Sequence, residues 1–81
     1  MTPLDQLPLN QPARVLRVQA GGAPPEWARQ LADIGFTPGE AVQVLHRAAL
    51  GGDPLVVRVA GSQFALRRAE ARCVLVDAAA A

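Results

Sequence analysis

The one histidine of this chain, His46, is the side chain best suited to bind a transition metal. Imidazole binds Fe²⁺ or Zn²⁺ together with carboxylates, and Glu40 and Asp53 are the nearest acids on either side along the chain. Because structural zinc takes four ligands, one histidine makes a poor site within one molecule. We therefore predict that no cofactor is required, and that any divalent metal on these three residues is bound weakly and between two molecules. The alternative is a histidine at the end of a strand, in line with Val42 and Val44.

Groups for covalent catalysis are few. Nucleophilic catalysis needs a nucleophile held by a base. The candidate nucleophiles are Cys73, Thr2, Thr37 and Ser62. The hydroxyls fall in predicted turns or at the terminus, and Gly51-Gly52 lacks the Lys-Ser/Thr of a phosphate-binding loop. The chain is therefore predicted not to be an enzyme. Its lone cysteine excludes an internal disulfide framework, and we expect Cys73 to be a small buried or partly exposed thiol.

Composition limits the class of protein. The 81 residues make one domain with a modest core, and a hydrophobic fraction of 51% indicates a globular chain. The net charge is only +1, and the basic residues, all Arg, alternate with acids, so no basic face for nucleic acid is predicted. No apolar run approaches the roughly 20 residues of a membrane span, and the N-terminus does not resemble a signal peptide. We expect a cytoplasmic protein without nucleic-acid partner or membrane insertion.

One helix and about five strands are predicted to position these residues. The segment PEWARQLADIG begins with Pro25, which suits a first helical position, and places Trp27, Leu31 and Ile34 on one face. The strand patterns are ARVLRVQA, AVQVLHR, LVVRVA, QFALR and CVLVD, at 13–20, 41–47, 55–60, 63–67 and 73–77. A turn at Gly61-Ser62 joins two of them, RAEAR is one helical turn, and residues 76–81 are expected to fray. So many short strands favour a closed or nearly closed barrel.

The segment LADIGFTPGEAVQVL, residues 31–45, joins the helix to a strand through residues that end helices and form turns. Gly35 is placed to be the left-handed residue after the helix, and Phe36 would then fold back on Leu31, as in a Schellman cap. Pro38-Gly39 matches the central pair of a type II turn, because proline presets φ and glycine tolerates the positive φ that follows. These four residues are therefore predicted to be structural.

Three motifs in order resemble the FeoA family. They are LADIGFTPG, then GDP at Gly52 to Pro54, then ALRRAEA at Ala65 to Ala71. The resemblance extends from Leu4 to Val76 and departs from the family pattern at Gln11-Pro12 and at Gln30. It implies one FeoA-like domain over residues 1–81. The implied fold is mainly β, a small SH3-like barrel of about five strands with one principal α-helix.

The resemblance implies a role and a partner, but no reaction. FeoA-like proteins are thought to act with FeoB, the membrane transporter of ferrous iron that carries a cytoplasmic G domain. A non-enzymatic accessory or adaptor protein of bacterial ferrous iron uptake is therefore implied. It would dock on the cytoplasmic domain of a FeoB-type transporter, at the periphery of the inner membrane.

Three segments are predicted to bind this partner. Loops on a rigid barrel concentrate binding residues, tryptophan is enriched at interface hot spots, and exposed charges set on-rate and orientation. The predicted partner-binding residues are Trp27, Arg29, Leu50, Gly51, Gly52, Asp53, Pro54, Arg67 and Arg68. Each has a structural alternative: a flexible hairpin for the loop, core packing for the tryptophan and solvated positions for the arginines. The competing hypothesis is a metal- or peptide-binding sensor module without a direct role in transport, and weak self-association is compatible with either.

Overall fold

A computed structural model describes residues 1–49 and 51–78. In this part of the chain, six strands form one antiparallel sheet in the order β1-β6-β2-β3-β4-β5. The strands are β1 Thr2–Pro3, β2 Ala13–Val18, β3 Ala41–Arg47, β4 Leu55–Val59, β5 Ser62–Leu66 and β6 Val74–Asp77. The helices are α1 Glu26–Asp33, the four-residue α2 Arg68–Ala71 and a 3-10 helix, Leu4–Gln6. The predicted β domain with one principal helix is confirmed, and β1 is a strand that the sequence did not indicate.

The core follows the two-residue period of the strands. In β4, Leu55, Val57 and Val59 are fully buried while Arg58 is exposed, because successive side chains point to opposite faces of a sheet. The inward residues of the other long strands and Phe36 complete one cluster with them. Leu4 and the next leucine of the 3-10 helix region, Leu7, are also buried, so the N-terminal segment forms part of the core.

A bulge in β3 changes which residues face the core. Val44 pairs with Val57, but the register then shifts, so that His46 pairs with Val56 and Arg47 with Leu55. Residues directly opposite each other project to the same face of an antiparallel pair. Arg47 therefore turns inward and His46 is exposed on the outer face. The expectation that His46 lies in line with Val44 was wrong, because the extra residue of a bulge inverts the alternation.

Two boundaries also differ from the predictions. Val59 pairs with Ser62, so the hairpin turn is Ala60-Gly61 and not Gly61-Ser62. Both turn residues have positive φ, +52° and +78°, as a type I′ turn requires. The predicted fraying was wrong for the first residues of the tail, because Val76 is fully buried and the strand β6 continues to Asp77. Residues 79–81 lie outside the described part of the chain.

Helix α1 begins after Pro25, whose φ and ψ of −57° and −31° are already helical. Leu31 is buried and Trp27 is half-buried against the core. Ile34, predicted to share this face, is 37% exposed because it is the C-cap residue, where the chain leaves the helix. No helix in the described residues is both long enough and apolar enough to cross a membrane.

The junction after α1 is held by backbone hydrogen bonds. The N–H of Phe36 donates to Leu31 O at 3.1 Å and that of Gly35 to Ala32 O at 3.1 Å, the two bonds of a Schellman motif. In the next turn, Glu40 N–H donates to Thr37 O at 3.1 Å, and Gly39 has a φ of +91°. This turn is tied to β2, since Gly39 N–H donates to Val15 O and Val15 N–H to Glu40 O. The helix is thereby fixed at one angle to the sheet.

Candidate functional site

The loop between β3 and β4 is bound to the start of α2. The backbone N–H of Arg68 donates to Asp53 Oδ1 at 3.1 Å, and the Arg68 guanidinium donates to Gly51 O at 3.3 Å. Gly51 and Gly52 have φ of +75° and +68°, a left-handed pair that glycine adopts without strain. Gly52 N–H donates to Ala48 O at 3.1 Å, which closes the loop on itself. The structure therefore brings together two of the predicted partner-binding segments.

Helix α2 begins with two reciprocal bonds. The N–H of Arg67 donates to Glu70 Oε1 at 2.8 Å, and Glu70 N–H donates to Arg67 O at 3.0 Å. Asp53 supplies a further acceptor for the first turn through Arg68, as an N-cap side chain would. Arg67 and Arg68 are exposed beside these two carboxylates, so this surface presents charges of both signs.

Trp27, predicted to bind the partner, lines a cleft that Glu70 also lines. Trp27 lines this cleft of about 260 Å³ together with Ile34, Phe64 and Leu66, and Glu70 stands at its wall. Arg29 is exposed on α1. Pro54 is exposed at the end of the loop, and Leu50 lies outside the described residues.

The three predicted metal ligands do not converge. Glu40 precedes β3 and His46 lies near its end, so roughly 16 Å of strand separates Ala41 from His46 at 3.3 Å per residue. Asp53 already accepts the N–H of Arg68. Across residues 1–49 and 51–78, no three His, Cys, Asp or Glu side chains lie close enough to hold a metal ion together. A site shared between two molecules stays a prediction.

Sequence reasoning missed an arginine clamp on the N-terminal segment. One nitrogen of Arg47, Nη2, donates to Asp5 O at 2.8 Å and to Leu7 O at 2.7 Å. The carboxylate of Asp5 is buried, with Arg72 Nε at 3.5 Å from its Oδ2. Arg47 faces inward because of the bulge in β3. The alternation of apolar and polar residues in so short a strand does not indicate where a bulge lies.

The cysteine is a core residue. Cys73 is buried, and its thiol lies 3.5 Å from Ala69 O and 3.8 Å from Ala20 O. Burial raises the pKa of the Cys73 thiol, the negative charge of Glu70 adds to that rise, and Arg72 opposes it. At neutral pH the group is therefore a protonated thiol, which is a poor nucleophile.

Comparison with known proteins identifies the family. The family model described as the FeoA domain matches residues 2–78. The chain belongs to the FeoA family. No match is found among the curated proteins.

Several solved FeoA structures resemble this FeoA-family chain. FeoA of Stenotrophomonas maltophilia, solved with zinc, is 43% identical over 98% of this chain and 93% of its own, with a TM-score of 0.86. It is described as a prokaryotic SH3 domain protein and a proposed ferrous iron transport activating factor. FeoA of Chlorobium tepidum is 35% identical over 93% of this chain and 68% of its own, with a TM-score of 0.79. Iron(II) transport protein A of Clostridium thermocellum is 32% identical over 94% of this chain and 44% of its own, with a TM-score of 0.81. The predicted SH3-like fold is confirmed.

Proposed function

We propose that this FeoA-family chain is a non-enzymatic accessory protein of bacterial ferrous iron uptake that binds the cytoplasmic domain of a FeoB-type transporter. The observation that carries the proposal is the match to the FeoA domain over residues 2–78. The description of the Stenotrophomonas maltophilia relative as a transport activating factor supports the same role. The proposed location is the cytoplasm, at the inner membrane when the partner is bound.

The proposed docking surface is the loop–α2 unit, which we define as Gly51–Pro54 with Arg67 and Arg68. Its loop is held to α2 by Asp53 and by the Arg68 guanidinium, so little conformational entropy is lost on binding. The exposed arginines favour an acidic patch on the partner, and such charges mainly raise the association rate. Arg29, exposed on α1, is a further candidate contact with the partner.

Calorimetric titration of the folded, nucleotide-loaded cytoplasmic domain of the transporter tests this proposal. Arg67→Glu reverses a charge whose guanidinium is exposed, and we expect binding to weaken about tenfold, mostly through the association rate. Arg58→Glu is the matched control, because Arg58 is an exposed arginine on the outer face of β4. Absence of binding by the unmodified protein would overturn the proposal. Equal losses for the two variants would exclude the loop–α2 unit as the docking surface.

The second candidate is a metal-responsive module, favoured by the zinc complex of the Stenotrophomonas maltophilia relative. In this chain it would use the exposed His46 with acids of a second molecule. Zinc titration of the unmodified protein and of His46→Ala, with sedimentation at each zinc concentration, separates the two functions. A zinc-dependent change of oligomeric state that His46→Ala removes favours the sensor. Unchanged zinc affinity in His46→Ala excludes this ligand.

A further inference from the structure

Among residues 1–49 and 51–78, no further strand pairs with β5, which is an edge of the sheet. It is the last strand in the sheet order, and its five residues pair with β4 in unbroken register. The sequence of β5, SQFAL, contains no charge and no proline. Natural edge strands usually carry such residues or a bulge, because a regular uncharged edge accepts another strand. The sequence and the regular register of β5 therefore suit this strand to strand addition.

Helix α1 runs along the same edge and forms a cleft with it. The cleft is lined by Phe64 and by its neighbour Ala65, which project to opposite faces of β5, so the cleft follows the edge itself. A Cβ on Gly35 would lie 3.0 Å from Ala60 Cβ, which places the C-terminal end of α1 beside the start of β5. The N-terminal end of α1, with Trp27, therefore lies beside the end of β5.

Most residues that line the cleft are apolar, and Gln30 and Glu70 are its polar residues. Its lining residues are Trp27, Gln30, Leu31, Ile34, Phe64, Ala65, Leu66 and Glu70. Glu70 is the charged member, and it follows β5 closely in the chain, at the end that Trp27 occupies. One oxygen of this carboxylate accepts the backbone N–H of Arg67. A carboxylate and an indole ring that line the same cleft can together recognise an ammonium or guanidinium group.

We propose that this cleft binds an extended apolar peptide segment that begins with a basic residue and adds to β5 as an antiparallel strand. An antiparallel strand starts where β5 ends, so the basic residue lies at Glu70 and Trp27. The following backbone pairs with β5, and alternate side chains enter the cleft against Phe64 and Ile34. In this binding mode, main-chain hydrogen bonds to β5 supply the affinity. The contacts of alternate side chains in the cleft between β5 and α1 supply the specificity. It does not depend on transporter docking by the loop–α2 unit.

The probe is the synthetic peptide Lys-Val-Thr-Val-Thr-Val with an amidated C-terminus. Trp27 is the only tryptophan of the chain, so its fluorescence reports directly on the cleft. We expect a saturable change in Trp27 emission, and slower amide hydrogen exchange within Ser62–Leu66. The same peptide with Glu at its first position is expected to bind about tenfold more weakly. A peptide with proline at the third and fourth positions is expected not to bind, because one of two consecutive residues must donate its N–H to β5 and proline has no N–H.

Two protein variants locate the site. Glu70→Gln keeps an acceptor for the Arg67 N–H, so we expect it to fold normally and to lose the preference for Lys over Glu. Ile34→Glu places a charge in the cleft, and Leu16→Glu is its control, since these side chains are 37% and 40% exposed. We expect only the first to abolish binding. The proposal is wrong if the lysine peptide fails to saturate at millimolar concentration, or if the two variants act alike. It is also wrong if β5 becomes protected only through pairing with a second copy of the chain.

Discussion

Asp53 and Arg68 are joined across two loops of the barrel, because Asp53 Oδ1 accepts the backbone N–H that begins α2 at 3.1 Å. The Arg68 guanidinium returns a bond to the same loop, at Gly51 O. An acid from the β3–β4 loop thus accepts the first backbone N–H of the short helix that follows β5, whose own N-cap residue is Arg67. The loop–α2 unit is held together by this reciprocal pair.

The first prediction concerns this acceptor. Asp53→Ala removes the acceptor for Arg68 N–H, and we expect a loss of about 1 kcal/mol in the free energy of unfolding, similar to the loss of an N-cap acceptor. Asp53→Asn is the control, because its amide oxygen still accepts the bond and asparagine caps almost as well. Urea unfolding followed by circular dichroism measures both. An equal loss for the two variants would show that the charge of Asp53, and not its role as acceptor, matters.

The second prediction concerns the helix stop. Gly35 has a φ of +126°, and a Cβ added there would lie 3.0 Å from Ala60 Cβ. Gly35→Ala is therefore expected to cost more than about 2 kcal/mol of unfolding free energy, since it adds a steric contact to backbone strain. Gly39→Ala is the control: its φ is also positive, +91°, but its Cβ would meet open space.

A double variant separates the two causes of the Gly35 effect. Ala60→Gly removes the methyl group that the new Cβ would meet, so we expect Gly35→Ala to cost about 1 kcal/mol less in that background. Thermal or urea unfolding of the four proteins in the cycle gives the coupling energy. Strict additivity would mean that strain alone makes glycine necessary at this position.

The sequence was most informative where one local rule decides the structure. The glycine and proline of the α1–β3 junction predicted a helix stop and a turn, and the corresponding hydrogen bonds are present. The pattern LVVRVA predicted a strand, and β4 is present at Leu55–Val59. The face of β3 on which His46 lies was predicted wrongly, because a bulge adds one residue to this strand. No residue type in the segment indicates the bulge. The Ala60-Gly61 turn was misplaced by one position because an alanine adopts the left-handed conformation there.

The candidate site was predictable in part. Family motifs indicated Asp53, Arg67 and Arg68 separately, but their contact joins residues that are distant in the chain. The pairing of Arg47 with the carbonyls of Asp5 and Leu7 spans about half of the sequence. Such contacts depend on how the sheet, its loops and the N-terminal segment pack together, and the local sequence pattern does not indicate this packing.

The third prediction concerns Arg47. Arg47→Met keeps an apolar stem but leaves the carbonyls of Asp5 and Leu7 without this donor, so we expect a loss of about 2 kcal/mol in unfolding free energy. Hydrogen exchange of residues 1–7 should also accelerate. Arg58→Met is the control, because Arg58 is exposed on the adjacent strand, and we expect a change within about 0.5 kcal/mol. Unaltered exchange at the N-terminus in Arg47→Met would contradict the clamp.

The last prediction concerns pH. A cysteine outside the fold titrates near 9.0, and burial raises the pKa of Cys73 above that value, with a further rise from Glu70. As the pH rises past about 9, the unfolded chain loses the thiol proton while the folded chain keeps it, so the free energy of unfolding falls. Below about pH 9 the stabilising contribution of the protonated thiol is fully present.

Urea unfolding between pH 7.5 and about 10 should therefore show a free energy of unfolding that falls with pH, and Cys73→Ala should lack this slope. The comparison uses slopes, because the substitution also changes core packing at every pH. Identical slopes in the two proteins, or rapid alkylation of native Cys73 at pH near 8, would contradict the raised pKa.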